Sequence, residues 1–224
     1  MAPNPLIDAL RAATTPILLK QLHALFEGAD DALFGMSQRA AAAEDHRSSF
    51  DIMRMLRLER RRIGTDFGRY VSESFRAAAD ATLEEFDLDR LSIAPTEELE
   101  ERLAVGNLIT KAETEHQVLL KDFSSRITHM IRDLGIPVSR QALTPGVVCN
   151  AFKSSIATVD IPLPVRLLLY KLFDRACMAR LNEPLQAALQ VLEVHQIKVP
   201  EPEPAAASPT WSPYGAPPVP TESD

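Results

Sequence analysis

A run of apolar residues at helical spacing, from about Asp45 to Glu85, constrains the fold more than any other feature of this sequence. Its members recur on one side of an α-helix: Ile52, Met55, Leu56, Ile63, Phe67, Tyr70, Val71 and Leu83. At about 1.5 Å per residue such a helix is roughly 60 Å long. A compact domain does not contain an element of that length. We therefore expect it to form the spine of an elongated bundle or an arm that contacts a partner.

The side of this spine opposite the apolar stripe is rich in arginine, and the next segment is acidic. Arginines follow one another at steps of seven or eight residues, while Asp80 to Glu101 carries nine carboxylates against Arg90 alone. Because the two blocks have opposite charge, we predict that they pair within one molecule or between two, or bind another protein. The predicted partner-binding residues are Arg47, Arg54, Arg57, Arg61, Arg69, Arg76, Glu97, Glu98, Glu100 and Glu101.

Two features inside the spine need their own explanation. Glu59 falls within the apolar stripe, and we expect it to be partly buried and paired with an arginine rather than to mark a hydrated gap. Gly64 and Gly68 each cost about 1 kcal/mol relative to alanine in a helix interior. We favour a bend at these glycines over a close approach of another backbone.

The rest of the chain predicts helices and no strand, so the expected class is all-α. Residues 1–14 are poorly patterned and are expected to be a flexible leader, and Thr15 with Pro16 predicts the first helix start. Gly28 is expected to interrupt that helix. Further helices are predicted from Thr96 to Leu134, Thr144 to Ile156, Val165 to Leu181 and from Asn182 onward, which defines a helical domain over 15–199.

Residues 200–224 contain eight of the seventeen prolines, and this composition predicts a disordered, proline-rich tail. Trp211 and Tyr214 beside the prolines are compatible with a docking peptide. No lysine or arginine follows Lys198 to orient such a peptide, so a plain tether is favoured.

Composition limits the functional classes. A net charge of −7 argues against general nucleic-acid binding, which draws its affinity from a basic excess. Two widely separated cysteines, Cys149 and Cys177, favour a reducing compartment. Because residues 1–19 lack a signal-peptide pattern and no apolar run has membrane-spanning length, we predict a cytoplasmic location with no membrane span.

No motif predicts catalysis, a metal or a cofactor. The eight glycines form no phosphate-binding loop. Cys149 could act as a nucleophile with His116 or His129, but its apolar helical surroundings favour an inert, buried thiol. Glu113 and His116 have the spacing of half a di-iron motif, yet no second copy exists, so a core histidine is favoured.

Several segments in order resemble a bacterial family called domain of unknown function 1631, some members of which carry the name thymidine phosphorylase. The matching segments are Leu25-Phe26, Ala29-Asp30-Asp31-Ala32-Leu33-Phe34, Phe50, Met53-Arg54, Arg57-Leu58, Glu98-Leu99-Glu100-Glu101, Leu103-Ala104-Val105 and Leu169-Tyr170-Lys171-Leu172-Phe173-Asp174-Arg175. The resemblance implies a helical cytoplasmic protein, with no established catalytic residues to transfer. Longer relatives continue beyond the position where this chain becomes proline-rich.

The leading hypothesis is a non-enzymatic adaptor or regulator that binds a protein, or itself, through charged helix faces. The simplest alternative is that these charges form solvated ion pairs within one bundle, since exposed pairs contribute only about 0–1 kcal/mol. A second function is recognition of a cyclic dinucleotide or nucleic acid by the arginines, which suit phosphate geometry. A third is a metal-dependent oxidoreductase at Glu113 and His116.

Overall fold

The computed structural model describes residues 4–39, 43–76 and 96–197, and nearly all of them are helical. The helices are α1 (Pro5–Arg39), α2 (Ala43–Glu73), α3 (Thr96–Glu115), α4 (Gln117–Arg132), α5 (Pro145–Ile156), α6 (Leu163–Ala176) and α7 (Asn182–Val194), with a 3-10 turn at Met178–Arg180. The β-structure in these ranges is one isolated bridge between Arg76 and Val138. The all-α prediction is confirmed.

Helix α1 begins eleven residues earlier than predicted and is continuous through Pro16 and Gly28. Its start is set by Asn4, whose side-chain oxygen accepts the Leu6 N–H at 3.0 Å, and by Pro5 at the first helical position. The first turns are anchored by buried apolar side chains, Leu6, Ile7 and Leu10. Residues 5–14 are therefore part of the bundle, and the expectation of a flexible leader was wrong for them.

Helix α2 is the predicted spine, but its C-terminal end is nearer than expected. It spans 31 residues, which corresponds to about 46 Å. After Glu73 the chain turns, because the Ser74 hydroxyl donates to the Val71 carbonyl at 2.7 Å and Phe75 is fully buried. The Ser139 N–H then donates to the Phe75 carbonyl at 3.2 Å. The predicted continuation over 77–85 lies outside the described residues, as does the tail over 200–224.

Helices α3 and α4 were predicted as one helix and are separated by a break at His116. The His116 ring is buried, and its Nε2 hydrogen bonds to the Met178 carbonyl oxygen at 2.8 Å. Gly135, with φ of +63°, follows the end of α4 as the sequence predicted. The break lets α3 pack against α5 and α6 while α4 packs against α7.

The core lies where α1, α2, α5 and α6 meet. Phe173 of α6 stacks on Phe152 of α5 with ring centroids 4.2 Å apart, and Phe67 of α2 meets Phe173 edge-on at 6.0 Å. Helix α5 begins and ends as predicted, with the Thr144 hydroxyl accepting the Val147 N–H. Helix α6 carries the central apolar contacts but ends at Ala176, and the 3-10 turn completes the predicted segment.

No helix in the described ranges is both long and apolar enough to cross a lipid bilayer.

Candidate functional site: the arginine face of helix α2

The predicted arginines lie along α2, apart from Arg76, which follows its last turn. Some are held by neighbouring acids: Arg69 lies 3.2 Å from Asp66 and 3.6 Å from Glu73, and its guanidinium carbon is 4.4 Å from the Tyr70 ring centroid. Arg54 and Arg61 are exposed and have no carboxylate within 4 Å among the residues that the structure describes. Some arginines of this row therefore form ion pairs, whereas others have no carboxylate partner among the described residues.

Two contacts fix the register between α1 and α2, which run antiparallel. The Arg57 Nε donates to Asp30 Oδ2 at 2.9 Å, and a Cβ added at Gly68 would lie 3.3 Å from the Leu19 side chain. Gly68 thus leaves room for the Leu19 side chain of α1, and the bend expected at these glycines stays a prediction. Gly64 has no heavy atom within 4 Å of such a Cβ. In this arrangement of the two helices, the side chains of Arg54 and Arg61 are exposed to solvent.

A cleft of about 350 Å³ lies between the C-terminal part of α1 and the N-terminal half of α2. Phe34 of α1 and Phe50 of α2 line it and remain 47% and 53% exposed. Arg54, Arg57 and the carboxylates Asp30 and Asp31 share the same rim. The cleft therefore combines exposed aromatic side chains with charges of both signs, which is the composition of an interaction surface rather than of a closed ligand pocket.

The acidic residues that were predicted to pair with the arginines of α2 lie on a different helix, α3. Glu97, Glu98, Glu100 and Glu101 belong to α3, and in the described part of the chain none of them contacts an arginine of α2. Glu98 pairs with Arg102 at 2.6 Å. The acidic residues at 80–95 lie outside the described ranges.

Glu101 is committed to the interior of the bundle. Its side chain is 13% exposed, accepts the Tyr170 hydroxyl at 2.6 Å and lies 3.4 Å from the Arg166 guanidinium. Burial and this carboxylate raise the pKa of Tyr170 well above its ordinary value. Because both Glu101 oxygens already have partners, Glu101 is a fold-stabilising group, and only Glu97 and Glu100 of the predicted acidic set present free carboxylates among the described contacts.

Glu59 sits as the sequence predicted. Its side chain is 32% exposed and lies 3.3 Å from the Arg62 guanidinium one turn along α2. This ion pair accounts for a carboxylate at the edge of the apolar stripe, because a partly buried charge requires a partner.

The alternative chemical sites are not assembled within the described ranges. His116 contacts the Met178 carbonyl, whereas Glu113 is exposed. Cys149 is 2% exposed, and its burial raises the pKa of the thiol to about 12. The described residues contain no group of three or more His, Cys, Asp or Glu side chains arranged to hold a metal ion. The preference for a core histidine and a buried cysteine is confirmed.

Sequence reasoning missed the aromatic pair Phe34 and Phe50. Phe50 lies between Arg47 and Arg54 on the arginine side of the spine, so an apolar residue on the polar face was the available signal. The contribution of α1 could not be read from sequence, because it depends on the register set by Asp30 and Leu19.

Comparison of the chain with known proteins gives a match to a protein-family model. No curated protein and no solved structure matches it. The family model described as "Protein of unknown function (DUF1631) N-terminal domain" matches residues 2–195, which include every described helix. The chain therefore belongs to the DUF1631 family.

Proposed function

We propose that this protein is a non-enzymatic, cytoplasmic adaptor or regulator that binds a protein through the arginine face of α2. The observation that carries the proposal is that Arg54, beside Phe34 and Phe50, and Arg61, two turns further along α2, are exposed without a described carboxylate partner. Arginine and aromatic side chains are the types enriched at protein interfaces.

The proposal also accounts for which charges are already satisfied. Arg62 and Arg69 pair with acids of their own helix, whereas Arg57 is held by Asp30 of α1. These pairs fix the surface, and the remaining cations are left to contact a second molecule. Exposed aromatic rings supply apolar area, while guanidinium groups supply orientation through paired hydrogen bonds to carboxylates.

The test is capture of a partner from lysate of the source cells with the immobilised full chain. In the variant that combines Arg54→Gln, Arg57→Gln and Arg61→Gln, we expect at least an approximately tenfold loss of captured protein, because a buried charge contact typically contributes more than 1.4 kcal/mol. The matched control combines Lys121→Gln, Arg132→Gln and Arg175→Gln, exposed cations outside α2. It removes the same charge and should retain capture. Equal capture by all three proteins would contradict the adaptor proposal.

A phosphate-bearing ligand is the second candidate, since the same free guanidinium groups suit phosphate oxygens. Capture that disappears after nuclease treatment, or direct binding of a cyclic dinucleotide that weakens steeply with salt, would favour it over a protein partner. Asp30 and Asp31 on the same rim argue for the protein.

A further inference from the structure

The two helices that form the cleft carry opposite charges on the same side of the molecule. The exposed acids of α1 include Glu27 and Asp31, and the exposed cations of α2 include Arg54 and Arg61. Glu27 also lies 3.6 Å from the exposed His23 ring on its own helix. Phe34 and Phe50 line the cleft between the two helices, and Leu58, which is 73% exposed, lies one turn beyond Arg54 on α2. We call the α1–α2 face the surface formed by Glu27, Asp31, Phe34, Phe50, Arg54, Leu58 and Arg61.

The register of the helix pair sets which of these charges stand at the same height. Because Asp30 is level with Arg57 and Leu19 is level with Gly68, Glu27 is level with Arg60, one residue from Arg61. By the same register Asp31 is level with Leu56, close to Arg54. An acidic edge on α1 and a basic edge on α2 therefore run side by side, with Phe34 and Phe50 lining the cleft beside Asp31 and Arg54.

Such a face is complementary to itself. A two-fold axis that runs along the groove, parallel to the helices, places the acidic edge of one copy opposite the basic edge of the other. This rotation leaves the position of each residue along the helix axes unchanged. Asp31 of one copy then meets Arg54 of the other, and Glu27 of one copy meets Arg61 of the other. The aromatic side chains of both copies meet near the axis. A two-fold interface has this property, in which each contact occurs twice.

We propose that a second copy of this chain binds to the α1–α2 face, giving a symmetric dimer with a four-helix interface. The proposal rests on the proposed function, because it identifies the partner of the same arginine surface. A single acidic ligand fits less well, since Glu27 and Asp31 would repel its carboxylates, whereas a second copy supplies an arginine opposite each acid.

The described face is modest in extent. Phe50 and Arg61 are separated by about 17 Å along α2, so the contact belongs with the smaller, reversible interfaces, which bury less than about 1,200 Å² in total. We expect a dimer that dissociates on dilution and at high salt, because exposed charge pairs are screened.

The experiment is the mass of the full chain measured by light scattering across protein concentration at low salt. The native chain should approach twice 24.8 kDa, and Asp31→Arg or Arg54→Asp should each raise the dissociation constant at least about tenfold, since each places like charges opposite one another.

An equimolar mixture of the two variants should recover the dimeric mass. In the mixed dimer the arginine introduced in one variant faces the aspartate introduced in the other. The native Arg54 of the first variant then faces the native Asp31 of the second, so every pair across the interface is again of opposite charge.

Control variants Asp160→Arg and Arg132→Asp make the same charge changes at exposed positions outside the face and should leave the dimer intact. A monomeric native chain, dimers that persist in both single variants, or a mixture that remains monomeric would each overturn the proposal. These outcomes differ from failure of the proposed function. A monomeric chain whose capture of another protein still depends on Arg54, Arg57 and Arg61 would remain an adaptor.

Discussion

Buried polar side chains decide much of the behaviour of this protein at the scale of single residues. His116, Glu101 and Tyr170 each have a defined partner in the bundle, and each therefore contributes to the fold. Cys149 is one of two free, buried cysteines, and its Sγ contacts the Met178 Sδ at 3.7 Å. Because no charged donor among the described residues stabilises a thiolate at this position, burial keeps Cys149 protonated.

This protonation predicts a dependence of stability on pH. The pKa of Cys149 is raised from its ordinary value of 9.0 to about 12, so the unfolded chain loses this proton first as the pH rises. The contribution of the protonated Cys149 thiol to the free energy of unfolding is complete below about pH 9 and is lost between about pH 9 and 12. The free energy of unfolding of the native chain, measured by urea denaturation, should fall between pH 8 and pH 10. We expect this fall to be about 1.4 kcal/mol smaller in Cys149→Ala.

The comparison across pH cancels the constant cost of deleting the Cys149 sulfur, because that cost is present at both values. Identical pH profiles for the native chain and Cys149→Ala would show that this thiol does not titrate differently in the folded and unfolded states.

At the scale of an element, α2 depends on its two internal glycines in different ways. Gly68 lies against Leu19 of α1, whereas Gly64 has free space beside it. The same substitution should therefore have different results at two positions one helical turn apart.

We expect Gly64→Ala to raise the free energy of unfolding by about 0.5–1 kcal/mol, because alanine loses less conformational freedom on entering a helix. Gly68→Ala should gain less, since its Cβ would come within 3.3 Å of the Leu19 methyl groups and Leu19 must shift. Urea denaturation of the two variants is the measurement. A larger gain at Gly68 than at Gly64 would contradict the packing between α1 and α2.

At the scale of the whole molecule, the first turns of α1 belong to the common core. Leu6, Ile7 and Leu10 are buried, although residues 5–14 precede the helical domain predicted from the sequence at 15–199. The boundary of the folding unit should therefore be tested at this end of the chain.

A chain that begins at Thr15 should lose roughly 5 kcal/mol of stability, because it lacks three buried apolar side chains, each of which contributes about 1.5–3 kcal/mol. Thermal and urea denaturation measure this loss. A chain ending at Pro200 is the control, because every described buried residue precedes that position. If the chain beginning at Thr15 were as stable as the control, α1 would not need its first three turns.

The elements that sequence predicted well carry their own boundary signals. Thr144 followed by Pro145 specified the start of α5. Helix α7 begins at Asn182 as predicted, although Leu181 is its N-cap and no side-chain hydrogen bond caps it. The break at His116 could not be predicted, because the carbonyl that binds its ring belongs to Met178, 62 residues away. The pairing of Arg57 with Asp30 likewise depends on how two helices pack, so the charged row was visible in the sequence while its partners were not.

The position of α1 has a consequence for synthesis. Helix α1 packs against α7, and the Gln21 side chain donates to the Arg180 carbonyl, 159 residues later in the chain. At roughly 5–20 residues per second, a ribosome needs about 8–30 s to add that intervening length. During this interval the leucines of α1 lack the contacts that α7 provides, so the native packing of α1 is completed only after translation reaches the last helix.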